Sequence, residues 1–293
     1  MTVLSQLRDA CATVAERASY VRIDADVIPA YARSLSESPP RADAPRDAGY
    51  WLTLDAINFG SGWFPTLRKP AGMSGYRTIE AGVRRRFDSD GPWSAEELER
   101  ITADEIAQVL SQDPDHELMG LFARSLNDLG AHIARDYDGA FEAVIGSSAV
   151  GLVEILATWD CFDDVSSYGE LTIPFLKRAQ IAAADLARAK LADFTDLDRL
   201  TMFADNLVPH VLRLDGILTF DAGLAARIDA EQLIGHCSRE EVEIRACALH
   251  AVELIVAERP DSRAADIDEL LWLRGQQPRY KRSPRHRSRT TAY

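Results

Sequence analysis

Four segments of the 293-residue chain set charged or polar side chains in apolar surroundings, where chemistry and plain packing make different demands. In Leu200–Pro209 a single carboxylate, Asp205, stands among apolar neighbours that would surround it on a helix. Taking a carboxylate out of water disfavours its charged form unless a partner holds it, and that cost is met most often where a reaction uses the charge. In Leu176–Ile181 two adjacent cations, Lys177 and Arg178, open an otherwise apolar helix, at the end whose dipole is least hospitable to them. An anionic ligand would justify the placement, and so would a salt bridge to Asp163, Asp164 or Glu170. Asn58–Pro65 interleaves Phe59, Trp63 and Phe64 with Gly60 and Gly62, which suits either an aromatic wall for a flat ring or a turn capped by core aromatics. The acids of Glu241-Val242-Glu243-Ile244-Arg245 fall at a helix start, where the dipole alone stabilises them.

The elements that must position these groups are mostly helical. Val3–Ala18 and Val27–Leu35 carry apolar residues at helical spacing, as do Leu118–Tyr137 and Phe175–Leu191. Capping boxes are expected at Ser94 with Glu97, Thr102 with Glu105 and Ser238 with Glu241, the last opening a helix over Arg239–Glu258. Leu200–Leu214 reads as helical up to or around Pro209. Tyr50–Leu54 is aromatic and branched, fitting a short strand or a buried helix start, and Leu171–Ile173 also hints at a strand. An all-α fold follows, with at most a short β hairpin: one globular domain over residues 1–293, made of two intimate helical lobes. Residues 36–47, with Pro39, Pro40 and Pro45, form a Pro-rich loop, and residues 279–293 a basic tail, either solvated or folded back on the pocket.

Composition narrows the function. A formal net charge of -13 argues against a surface that binds nucleic acid by counterion release, and a small-molecule partner fits better. Cys11, Cys161, Cys237 and Cys247 lack metal-type spacing and read as reduced thiols packed like small apolar residues, in keeping with the cytoplasm. No stretch reads as an export signal or a membrane span. The six histidines fall singly, as surface or core-edge residues rather than ligands, and no zinc-protease, di-iron or serine-hydrolase motif is present, so neither metal nor cofactor is expected. Gly60-Ser61-Gly62 lacks the third glycine of a dinucleotide loop, and Pro65 interrupts the helix such a loop would need.

Over residues 50 to 293 the chain resembles the queuosine salvage proteins, the queuosine 5'-phosphate N-glycosylase/hydrolase family. The likeness is densest in Lys177-Arg178-Ala179-Gln180, Thr201-Met202-Phe203-Ala204-Asp205 and Glu241-Val242-Glu243-Ile244-Arg245-Ala246. Asn58-Phe59, Ser74-Gly75-Tyr76 and the ending with His286, Arg287, Arg289 and Tyr293 add to it. The resemblance implies a helical core like that of DNA glycosylases and a cofactor-free hydrolase releasing queuine from queuosine 5'-phosphate, for salvage into tRNA modification. It places the catalytic aspartate at Asp205 and a base contact at Phe203. Asn58, Phe59, Trp63 and Tyr76 are further substrate-binding candidates, and Lys177, Arg178, Arg287 and Arg289 are candidates for the 5'-phosphate. Three departures stand out: Asn206-Leu207 where the family continues with Tyr-Arg, the glycines Gly60 and Gly62, and Leu273-Arg274 where some members carry Asp-Tyr. They leave two alternatives open, a nucleosidase for another 7-deazapurine nucleotide and a non-catalytic queuine-binding protein. Action on DNA conflicts with the acidic balance.

Overall fold

The computed structural model describes residues 1–36, 45 and 47–293. It is 59% helical, and the described residues form fourteen α-helices and four strands of three or four residues. In chain order the helices are α1 (Val3–Arg17), α2 (Ile28–Ser34), α3 (Ala48–Ala56), α4 (Gly75–Asp90), α5 (Ala95–Arg100), α6 (Ala103–Leu110) and α7 (Glu117–Asp136). There follow α8 (Ala149–Leu156), α9 (Lys177–Arg188), α10 (Leu207–Leu214), α11 (Ala222–Asp229), α12 (Arg239–Ala257), α13 (Ala264–Arg274) and α14 (Pro278–Lys281). Strands β2 (Val165–Tyr168) and β3 (Leu171–Pro174) make an antiparallel hairpin. Strand β1 (Val21–Ile23) pairs antiparallel with the distant β4 (Leu218–Phe220), a long-range match that no local pattern announces.

Two of the three expected capping boxes close in both directions, Ser94 with Glu97 and Thr102 with Glu105, so each helix start has its first amides satisfied. At α12 only half of the box forms. Ser238 Oγ accepts the Glu241 amide at 3.3 Å, but the Glu241 carboxylate turns to the Cys237 amide at 3.2 Å.

One open reading of the sequence is resolved and another needs correction. Of the strand and the buried helix start, the structure has the helix. Tyr50–Leu54 lies in α3, and all nine residues of that helix are buried. A helix enclosed on every side has no polar stripe, so its sequence carries no period from which to tell it from a strand. Leu200–Pro209 does not run as a helix towards Pro209. Residues 201–204 are non-helical, and α10 starts at Leu207 with Pro209 as its third residue. The first-turn amides of a helix have no intrahelical acceptor, so proline there removes no hydrogen bond and marks a beginning rather than an end. Most of the Pro-rich loop, including Pro39 and Pro40, lies outside the described residues, while the Pro45 carbonyl accepts Trp51 Nε1 at 2.8 Å.

The chain divides into two compact units. The first gathers Met1–Ala42, Val165–Lys177 and Asp196–Arg289. Its centre is α12, buried nearly all round through Val242, Ile244, Ala246, Leu249, Val252 and Ile255, with α1, α2, α10 and α13 packed on it. The second gathers Asp43–Asp164, Arg178–Thr195 and Thr290–Tyr293 and centres on α7, against which α3, α5 and α6 pack. Helix α5 approaches α7 so closely at Gly130 that an added Cβ would lie 2.4 Å from the Glu99 amide nitrogen. Among the described residues no helix is long and apolar enough to cross a membrane.

Candidate active site

Asp205 sits on a short strap in which four consecutive residues are each held from a different direction. The Phe203 amide donates to Asp268 Oδ1 on α13 at 3.0 Å, and the Ala204 carbonyl accepts Arg245 Nε from α12 at 2.9 Å. Asp205 Oδ1 accepts the amides of Leu207 and Val208 at 2.7 and 3.2 Å, at the start of α10. Asn206 Nδ2 donates to the His286 carbonyl of the C-terminal segment at 3.1 Å. Thr201 to Ala204 are buried and Asp205 is half-buried, so the strap is a fixed backbone that presents one carboxylate edge. Since Oδ1 is engaged by helix amides, Oδ2 is the oxygen left to meet a ligand, in the positive field of a helix start.

The supports behind the strap are polar and buried. Arg245, fully enclosed on α12, lays its guanidinium carbon 3.9 Å from the centroid of the Phe175 ring and faces Glu241 at 3.6 Å. Two residues away, the equally enclosed Glu243 carboxylate accepts the successive amides of Ser19, Tyr20 and Val21 at 2.9, 2.6 and 3.2 Å and the Tyr168 hydroxyl at 2.8 Å. The simple reading of Glu241-Val242-Glu243-Ile244-Arg245 as acids favoured by a helix dipole therefore misses their role as internal fasteners. Asp268 was also legible in principle, because its place with Ala264 and Leu271 on the buried face of α13 puts a carboxylate where an apolar residue belongs.

The second unit holds the aromatic segment. Phe59 is 2% exposed, edge-on to Phe122 at 5.0 Å between ring centroids, with the Arg178 guanidinium 5.0 Å from its own centroid. Gly60, at φ 108°, lies where an added Cβ would meet Leu118 at 2.8 Å, and its amide donates to the Tyr293 carbonyl at 3.2 Å. Trp63 Nε1 donates to Glu117 Oε2 at 2.7 Å. Asn58 and Tyr76, the latter in the first turn of α4, are half-buried. Arg178 acts as an internal staple: Nη1 donates to the carbonyls of Ala56, at 2.6 Å, and of Cys161, and Nε to that of Ala292 at 3.3 Å. Burial pushes its pKa down to about 10, against the pull of Asp164, Asp163 and Asp55, so it stays charged at neutral pH. Lys177 is the first residue of α9 and is buried.

The C-terminal segment is not a solvated tail. From His286 to Ala292 burial alternates, with His286, Ser288, Thr290 and Ala292 inward and Arg287, Arg289 and Thr291 more exposed, the two-residue period of an extended backbone. Arg287 pairs with Glu231 at 3.1 Å, and Arg289 is exposed. Cys11, Cys161 and Cys247 are buried as small apolar residues would be, whereas Cys237 is exposed in a turn at φ 57°. Two histidines depart from the expected surface or core-edge setting. His210 and His286 are 3% and 2% exposed, and burial pushes their imidazoles down to about 4 and about 3. In the unfolded chain they bind protons near pH 6.5 while the folded state holds them neutral, so stability falls as pH drops below that value. We expect up to about 1.4 kcal/mol lost per pH unit and per histidine between pH 6.5 and 4.5. Urea unfolding of the parent and of His286→Asn over this range tests it, and parallel stability curves would refute the assignment to His286.

These elements lie inside a stretch shared with known proteins. A family described as queuosine salvage protein matches residues 38–293. The chain belongs to the queuosine salvage protein family. A family protein of Sphaerobacter thermophilus, called queuosine 5'-phosphate N-glycosylase/hydrolase, is 36% identical over 262 residues, covering 84% of this chain and 81% of that protein. The like-named protein of Bos taurus is 29% identical over 241 residues (76% and 70%), and that of Mus musculus 26% over 292 residues (89% and 86%). The queuosine salvage match takes in the strap, α12, Lys177-Arg178 and the C-terminal segment, and leaves out α1 and α2.

Proposed function

We propose that this chain is a hydrolase that cleaves the N-glycosidic bond of queuosine 5'-phosphate and releases queuine. The observation that carries the reading is Asp205: a half-buried carboxylate on a strap fastened at four successive residues, with one oxygen held by helix amides and the other not engaged by them. As the bond to the base breaks, positive charge grows on the ribose ring. A fixed carboxylate beside the anomeric carbon stabilises that charge and orients, then deprotonates, the attacking water. Because the strap is held before substrate arrives, little reorganisation is left for the transition state. Phe203, two residues before Asp205, supplies an aromatic face for the flat base. Asn58, Phe59, Trp63, Tyr76 and Lys177 belong to the same proposal as substrate-binding residues. Arg178 contributes by holding three backbone carbonyls in place.

The proposal takes a small nucleotide as the partner and, from the cysteines that read as reduced thiols, the cytoplasm as the compartment. The test is incubation of the protein with queuosine 5'-phosphate and detection of free queuine by mass spectrometry, and absence of queuine would refute the reading. A second substrate of the same class, another 7-deazapurine nucleotide, is favoured by one observation. Arg274, which stands where some relatives carry substrate-touching residues, is tied to Asp215 at 2.8 Å and to the Tyr280 hydroxyl at 2.7 Å. Competition between the two nucleotides in the same assay decides between them.

A further inference from the structure

The cations nearest to hand by sequence have other employment. Arg178 holds carbonyls and Arg287 holds Glu231. Arg285 differs from both. The bond from Asn206 Nδ2 to the His286 carbonyl, at 3.1 Å, joins the residue after Asp205 to the residue after Arg285, so the two charged residues stand at neighbouring places on paired segments. Arg285 is half-buried, and among the described residues its guanidinium makes no hydrogen bond and no ion pair. Asp205 is the carboxylate that bears on it electrostatically, while Arg287 repels it and burial disfavours its charge. A guanidinium presents five donors in a planar fork, and leaving them unmatched in a partly desolvated place is costly unless a ligand completes them.

The geometry points to Arg285 as the residue that binds the 5'-phosphate of the substrate, a role that rests on the reading of Asp205 as the catalytic carboxylate. In a mononucleotide the phosphate lies only a ring edge and a methylene away from the anomeric carbon, so a phosphate-binding group is required close to Asp205. The charge of Arg285 also offsets the repulsion between two anions, the phosphate and Asp205. A planar fork that can bind two phosphate oxygens at once makes this a recognition contact as well as a charge contact.

The test compares queuosine 5'-phosphate with its dephosphorylated nucleoside, using the parent, Arg285→Gln and Arg285→Lys. Loss of the charge-assisted bonds should lower the nucleotide-over-nucleoside ratio of kcat/KM by about ten- to a hundredfold in Arg285→Gln, mainly through KM for the nucleotide, and Arg285→Lys should recover part of it. A ratio equal to the parent's, with both substrates slowed alike, would make Arg285 a support for Asp205 and overturn the proposal. Titration with inorganic phosphate, followed by calorimetry, needs no turnover. Binding to the parent that weakens at least tenfold in Arg285→Gln supports the assignment, and equal or absent binding refutes it. Should the parent release queuine from neither substrate, the proposed reaction fails, while the phosphate titration still decides the role of Arg285.

Discussion

Asp205→Asn should lower the turnover of queuosine 5'-phosphate by about a hundredfold or more, the usual scale for losing a group that moves or steers a proton in the transition state. The substitution is selective because the side chain has two separate duties. Its Oδ1 accepts the amides of Leu207 and Val208, and an asparagine carbonyl accepts them equally well, so the start of α10 and the strap should persist. What disappears is the negative charge, which matters most once the ribose has become cationic. KM should therefore change far less than kcat, and the unfolding midpoint should stay close to that of the parent. Release of queuine within a few fold of the parent rate would show that Asp205 is only a helix cap, and the proposed mechanism would fall.

How much of this could be read in the sequence depends on whether the information was local. The caps at Ser94 and Thr102 and the long face of α7 are set by residues within a few positions of one another, and their elements stand where the pattern puts them. The β1–β4 pair was invisible because it joins segments nearly two hundred residues apart with three residues each. The run around Asp205 stands out as one carboxylate in apolar company, and the structure places Asp205 half-buried among buried neighbours. Its conformation was misjudged because apolar residues buried on a strap look the same in sequence as apolar residues buried on a helix. The groups that fix it, Asp268 and Arg245, act through backbone atoms of Phe203 and Ala204, and a partner that reads only backbone leaves no mark on the sequence it holds. Arg285 does not stand out in the sequence for a related reason, since in a tail with so many cations nothing local separates a half-buried guanidinium from its exposed neighbours.

Arg245→Met should be among the most destabilising single substitutions. Arg245 is 0% exposed, as is Glu241, and the two face each other at 3.6 Å. Methionine approximates the length of the aliphatic stem but lacks the guanidinium that lies 3.9 Å from the centroid of the Phe175 ring, so the loss is chiefly electrostatic. Glu241 would lose the arginine that faces it in the interior, and the Ala204 carbonyl its Arg245 donor. Removing one partner of a buried pair costs about 3–5 kcal/mol, a large part of the roughly 5–15 kcal/mol that holds a typical protein folded. Removing the charge of both partners should hurt less, because the buried anion goes together with the cation: Glu241→Gln with Arg245→Met should regain at least about 1 kcal/mol over Arg245→Met alone. Activity should not return in step, since the strap in the double variant still lacks the donor to Ala204 that helps hold Asp205 in place. Urea unfolding of the three proteins, with queuine release measured under conditions where each is folded, separates the two effects. Stability of Arg245→Met within about 1 kcal/mol of the parent would mean that the Glu241–Arg245 pair is not what secures the strap.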